Sequence, residues 1–182
     1  MNLDELRIDL ARRGKRGLHF ILASVIIWCA VLIVWLLPIE DIYTKTLLTF
    51  CFTTPLVPLA FVISKVIKAE FSANSNPLNK LGLLFSYNEL LYILIAMWVY
   101  AAAPDKMVMV LAIIFGAHLL PFGWLYKSTA YTVMAVLISV SIFIIGIIFD
   151  PVIVSIVMIS FEIVFSIWLI IEVKNLQKVA TS

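Results

Sequence analysis

The chain has 182 residues, of which 64% are hydrophobic and 13% charged, and its mean hydropathy is +1.13. A soluble domain is about 45–50% apolar and about 25% charged, so this composition excludes an ordinary soluble protein and indicates an integral membrane protein. The formal net charge of +2 is too small to indicate nucleic-acid binding. The two cysteines, Cys29 and Cys51, stand in apolar stretches and have no zinc-type spacing, which predicts neither a disulfide nor a metal site.

The N-terminal segment, residues 1–17, is polar and basic. Leu3, Leu6 and Leu10 stand at helical spacing, and Asn2 and Glu5 have the spacing of a capping box. This pattern predicts a short amphipathic helix over residues 2–13, lying on the membrane surface. The apolar run that follows is too long for a signal peptide and has no cleavage motif, so we expect it to be retained as the first transmembrane helix.

The rest of the chain predicts an all-α fold, a polytopic bundle of six transmembrane helices within residues 18–172. Each span needs about 20 apolar residues, and six such spans with short loops use nearly the whole length. The least marked boundary is Asp150-Pro151, where a single charge and a turn-forming dipeptide divide the last two spans. Residues 173–182 are predicted to be a cytoplasmic tail. The predicted spans are 18–37, 44–66, 81–101, 107–125, 129–148 and 151–172.

Successive loops are alternately rich and poor in lysine and arginine. Because cytoplasmic loops carry the excess of basic residues, this pattern predicts the orientation of the chain in the membrane. With the N-terminus in the cytoplasm, only Lys45 and Lys106 of the lysines and arginines lie outside. Four acidic residues of the short loops lie there as well. We therefore expect a multi-pass plasma-membrane protein with both termini in the cytoplasm.

Three ionisable residues stand well inside predicted spans: Glu89, His118 and Glu162. At 1.5 Å per residue they lie about 12, 10 and 15 Å from the cytoplasmic ends of their spans. Ionisable groups are costly in the bilayer and usually face a partner or a cavity. We therefore predict that these three residues, with Asn88, bind a substrate or a proton; the alternative is that they are hydrogen-bonding groups that hold helices together.

Prolines in two spans predict kinks at a comparable depth. Span two contains Pro55 and Pro58, and span four contains Pro121 next to the histidine turn. A proline removes a backbone donor and frees a carbonyl of the preceding turn, and broken helices with mid-depth polar groups surround many transporter sites. Motifs of soluble hydrolases, dinucleotide-binding proteins and phosphate-binding loops are absent from the sequence, which argues against an enzyme and predicts no cofactor.

Three segments resemble a known family: Asn76-Pro77-Leu78, residues 87–91 (Tyr-Asn-Glu-Leu-Leu) and residues 117–126 (Ala-His-Leu-Leu-Pro-Phe-Gly-Trp-Leu-Tyr). The chain is similar over most of its length to small multi-pass membrane proteins of Gram-positive bacteria that carry a domain of unknown function. The resemblance implies a bacterial plasma-membrane location and no particular activity.

Three functions remain open from the sequence. The first is a transporter or proton-coupled permease in which Glu89 and Glu162 bind a cation or proton and His118 is their partner. The second is a structural, sensory or assembly protein without turnover. The third is an intramembrane enzyme acting on a lipid, with or without a metal held by the same residues. The predicted partners are the lipid bilayer and a small solute or ion, and a homo-oligomer is left open.

Overall fold

The computed structural model describes residues 2–178, and every regular element in that range is helical. Nine α-helices are separated by loops and by two single 3₁₀ turns, Lys15–Gly17 and Pro104–Lys106. The helices are α1 Leu3–Arg13, α2 Leu18–Leu36, α3 Ile42–Thr53, α4 Leu56–Val66, α5 Asn79–Leu91, α6 Ile93–Ala102, α7 Met107–Tyr126, α8 Thr129–Ile148 and α9 Pro151–Lys178.

The prediction of six helical segments long and apolar enough to cross a membrane is confirmed. They are Lys15–Leu36, Ile42–Val66, Asn79–Ala102, Pro104–Tyr126, Thr129–Ile148 and Pro151–Lys178. The last helix continues six residues beyond the predicted span end at residue 172. Of the predicted tail 173–182, residues 179–182 lie outside the described residues.

Helix α1 begins with the predicted capping box. The Asn2 side chain accepts a hydrogen bond from the Glu5 backbone N–H at 2.9 Å, and Glu5 accepts one from the Asn2 backbone N–H at 3.0 Å. The helix packs against the end of α7 and against the segment 67–78. We call this end of the bundle the proximal end, and the end with loops 37–41, 103–106 and 149–150 the distal end.

Helices α2, α7, α8 and α9 form the core, and spans two and three lie at its edge. In the most apolar stretch of the first span, 56% of the residues are buried, against 17% in span two and 11% in span three. Trp28, Ile138, Met158 and Phe165 are among the buried side chains of the core. Helix α4 packs mainly on α2 and α5 mainly on α7, so the proximal halves of spans two and three pack on different helices.

Glycines let α7 and α8 approach closely. A Cβ added at Gly116 would lie 2.8 Å from the side chains of Ile138 and Ser139, and one added at Gly123 would lie 2.4 Å from Thr132 Oγ1. Small residues at helix contacts are the usual means of close packing between apolar helices, because lipid offers no hydrophobic drive for association.

Regular helix is interrupted in the middle of two of the six spans, at a proline in one and without a proline or glycine in the other. Span two stops at Thr53 and restarts at Leu56, with Pro55 between the two helices. Pro58 lies in the first turn of α4, where backbone N–H groups need no helical partner, so the helix continues through it. Helix α7 likewise continues through Pro121. Span three breaks at Tyr92, where neither glycine nor proline stands.

Candidate functional site

Glu89 lies in the last turn of α5, directly before the break in span three. Its carbonyl accepts a hydrogen bond from the Tyr92 N–H at 2.9 Å, in the tighter geometry that ends the helix. None of the thirteen residues of α5 is buried. The Glu89 side chain is 32% exposed, so the carboxylate belongs to a helix held loosely at the edge of the bundle.

His118 on α7 is the neighbour of this carboxylate. Its Nδ1 lies 3.7 Å from Glu89 Oε1, within ion-pair range but longer than a hydrogen bond. Nδ1 is buried and has no hydrogen-bond partner among the described residues. The rings of Phe115 and Phe122 stand edge-on to the imidazole, with centroids at 5.2 and 6.0 Å. The histidine is thus enclosed by apolar rings on its own helix, and Glu89 is the charged group beside it.

Asn88 precedes Glu89 but is directed elsewhere. Its amide Nδ2 donates to the hydroxyl of Tyr92 at 2.9 Å, one turn along the chain, and its side chain is exposed. Ser86 likewise donates to the Gly82 carbonyl, at 3.2 Å. These polar groups make local hydrogen bonds on the outer face of span three.

Glu162 occupies a different interface. It is fully buried on α9, and its Oε2 accepts a hydrogen bond from the Ser24 hydroxyl on α2. The other carboxylate oxygen, Oε1, is buried without a partner among the described residues. The structure therefore brings Glu89 and His118 together and gives Glu162 a separate partner.

Aromatic rings lie between the two sites. Phe122, beside His118, is 6.4 Å from the Tyr131 ring, and Tyr131 is 4.9 Å edge-on from Phe165. Phe165 is one helical turn from Glu162 on α9. Packed aromatic side chains therefore lie between His118 and the turn of α9 that carries Glu162.

Two concave regions of the described residues are lined by residues other than the predicted site residues. An apolar recess of about 200 Å³ lies between α3, α6 and the start of α7. A polar recess of about 360 Å³ lies at the proximal end, lined by Arg16, Lys127, Thr129, Glu172, Asn175 and Leu176. Among residues 2–178, no three His, Cys, Asp or Glu side chains form a group that could hold a metal ion.

The polar recess contains a network that the sequence analysis did not anticipate. Glu172 accepts hydrogen bonds from the Arg16 guanidinium, from the Ser128 hydroxyl at 2.6 Å and from the Ala130 N–H at 2.9 Å. The carboxylate thus joins the start of α2, the start of α8 and the end of α9. A carboxylate near the first turn of a helix is stabilised by the helix dipole.

His19 is 2% exposed in the first turn of α2. Its ring packs near Phe20 and Phe71, with centroids at 4.6 and 5.5 Å, and both nitrogens lack hydrogen-bond partners among the described residues. The loop residue Phe71 therefore helps to cover this side chain.

Comparison with known proteins gives a family and no characterised relative. The sequence model of a family described as "Family of unknown function (DUF7010)" matches residues 3–172. No curated protein and no solved structure matches the chain.

Proposed function

The chain belongs to the DUF7010 family of unknown function, and from that premise we propose that it is a small transporter or proton-coupled permease. The binding site is the pair Glu89 and His118, and the species bound there is a proton or a small cationic solute. The observation that carries the proposal is the 3.7 Å distance between His118 Nδ1 and Glu89 Oε1, on two helices that pack very differently.

The chemistry of the pair supports reversible binding. Because the two atoms are too far apart for a hydrogen bond and Nδ1 has no hydrogen-bond partner among the described residues, the pair is open to a proton or a donor group. Binding of one proton changes the net charge of the pair by one unit. Within a membrane such a change is energetically large, since charges there are poorly solvated.

The packing of α5 supports a movement coupled to that change. Helix α5 has no buried residue, and its contacts with the core are mainly with α7. Tyr92 interrupts the regular hydrogen bonding between α5 and α6 while keeping helical φ and ψ angles, and we propose that the proximal half of span three shifts at this residue. Protonation or solute binding at the pair would therefore alter how α5 rests on α7.

A second candidate function is a structural or assembly protein without turnover. The observation that favours it is the buried hydrogen bond between Ser24 and Glu162, which joins two core helices. On this alternative the Glu89–His118 contact likewise only holds α5 on the bundle. A hydrogen bond between two membrane helices, such as the one between Ser24 and Glu162, contributes about 0.6 kcal/mol to stability on average.

Charge displacement in reconstituted protein tests the proposal that Glu89 and His118 form a proton-binding site. Proteoliposomes are adsorbed on a solid-supported membrane and subjected to a rapid proton-concentration jump, which detects binding at an intramembrane site without knowledge of a co-substrate. The variants are Glu89→Gln and, as the matched control, Glu40→Gln in the exposed distal loop.

The transporter proposal predicts a transient current in wild type and in the Glu40→Gln variant that is absent from Glu89→Gln and from protein-free liposomes. Glu89→Gln should keep the fold, because α5 has no buried residue. Wild-type currents equal to those of protein-free liposomes would sink the proposal, as would a full current in Glu89→Gln.

We propose further that the protein resides in a bacterial plasma membrane with both termini in the cytoplasm. The excess of lysine and arginine in the proximal loops and termini supports this orientation. Single cysteines at Asn74 and Asp105, after replacement of Cys29 and Cys51 by serine, test it in intact cells. A membrane-impermeant thiol reagent should label Asp105→Cys directly and Asn74→Cys only after permeabilisation; the reverse labelling would refute the orientation.

A further inference from the structure

Glu162 has a hydrogen-bonding deficit in the interior of the bundle. One carboxylate oxygen accepts from Ser24, while Oε1 is buried and has no partner among the described residues. A buried polar atom without a partner is costly, and more so if it is charged, so buried polar atoms in native structures are rarely left unpaired. Glu162 Oε1 is therefore a candidate ligand for a bound species.

A second polar atom with the same deficit stands one helical turn away on α9. Ser166 is 5% exposed, and its hydroxyl has no partner among the described residues. This differs from five other serines within helices, each of which donates to a carbonyl three or four residues earlier: Ser64, Ser86, Ser139, Ser155 and Ser160. The Ser166 hydroxyl is thus free of the usual bond to its own helix.

The two deficits share one helix face. Residues 162 and 166 are four apart, so they lie on neighbouring turns of the same side of α9. That side packs on α2, where Ser24 contributes a third oxygen. Ser24 and Glu162 therefore meet at a contact between two core helices, and helical spacing puts the Ser166 hydroxyl one turn further along the same side of α9.

We propose that this contact is a binding site for a small monovalent cation of the Na⁺ type, with Glu162 Oε1, Ser166 Oγ and Ser24 Oγ as its protein ligands. Hard cations bind oxygen ligands, and a cation compensates a buried carboxylate in a way that a neutral water cannot. The site is distinct from the Glu89–His118 pair and does not rest on the proposed function, since an ion can bind there without transport.

Thermal unfolding of the purified chain in detergent tests the site. Melting is followed in NaCl and in choline chloride at equal ionic strength, for wild type, Ser166→Ala and Glu162→Gln. Ser160→Ala is the matched control, because Ser160 lies on the same helix, is exposed and bonds its own helix.

The wild-type melting temperature should rise with Na⁺ to a plateau of about 5 °C above the choline value, because an ion that binds only the folded state stabilises it. The Ser160→Ala variant should show the same rise, and Ser166→Ala should lose it. If Glu162→Gln does not fold, Ser166→Ala alone decides. Equal melting in Na⁺ and choline, or an undiminished rise in Ser166→Ala, would overturn the site.

Discussion

His118 Nδ1 lies 3.7 Å from Glu89 Oε1, and through this contact a helix with no buried residue meets one of the core helices of the bundle. The contact is therefore placed where a change of charge can alter helix packing with little disturbance of the core. This relationship is the basis of the proposed transport function. The fold that supports the contact makes predictions of its own.

The close approach of α7 and α8 should depend on Gly123. An added Cβ there would lie 2.4 Å from Thr132 Oγ1 and 3.0 Å from the Thr132 backbone N, so the backbones must separate. We expect Gly123→Ala to destabilise the protein by about 1–3 kcal/mol, a cost typical of overpacking. The free energy of unfolding in a mixed-detergent titration measures it.

Gly82 on α5 is the matched control. An added Cβ would meet only the flexible end of Leu125, at 3.3 Å. Gly82→Ala should be neutral or stabilise the protein by about 0.5–1 kcal/mol, because alanine favours a helix more than glycine does. Equal losses in the two variants would mean that the α7–α8 contact is not specially close.

The Glu172 network should be one of the strongest polar contributions to stability. In Glu172→Ala the largely buried Arg16 guanidinium, 11% exposed, loses its carboxylate, and the Ala130 N–H loses its acceptor. Removing one partner of such a pair leaves a charge without compensation, so we expect a loss of about 2–3 kcal/mol in unfolding free energy. Glu40→Ala, in an exposed loop, should change it by less than about 0.5 kcal/mol. A Glu172→Ala protein as stable as the control would contradict the role of the network.

Asp41, which caps the start of α3, should stabilise the protein to an extent that depends on pH. Hydrogen bonds from the Thr44 hydroxyl and backbone N–H, and from the Tyr43 N–H, lower the pKa of Asp41 below its ordinary value of 3.8. A carboxyl group whose pKa is lowered by folding stabilises the folded state at pH values above its ordinary pKa. That stabilisation is lost as the pH falls through the pKa of the folded state.

Asp41→Ala should therefore melt below wild type at neutral pH, and the difference should shrink below about pH 4. Asp41→Asn keeps a capping oxygen that does not titrate, so its difference from Asp41→Ala should stay constant over the same range. Melting temperatures at several pH values provide the test. A wild-type advantage that is unchanged at low pH would show that the ionised carboxylate is not the group responsible.

Much of the fold could be predicted because apolar length and turn residues determine the spans. The break at Pro55 follows from a missing backbone donor. The interruption at Tyr92 could not be predicted, since neither glycine nor proline stands there. Likewise, no pattern in residues 67–78 indicates that Asn76 bonds the Leu6 carbonyl at 2.8 Å.

The candidate site could be predicted only in part. Span depth suggested that Glu89 and His118 lie at one level, and the structure puts them in contact. Depth carries no information on which face of a helix a residue occupies, so it could not assign Glu162 to Ser24. Serine is common in membrane helices, and only the packed structure distinguishes Ser166, with its free hydroxyl, from serines that bond their own helix.

A double-mutant cycle on charge displacement tests most directly whether Glu89 and His118 act as one site. The proton-jump current is measured for wild type, Glu89→Gln, His118→Gln and the double variant, each reconstituted at equal density. If the pair is one site, each single change removes the displaced charge and the double variant loses no more than either. Independent, additive losses, or a current that persists in the double variant, would contradict the account.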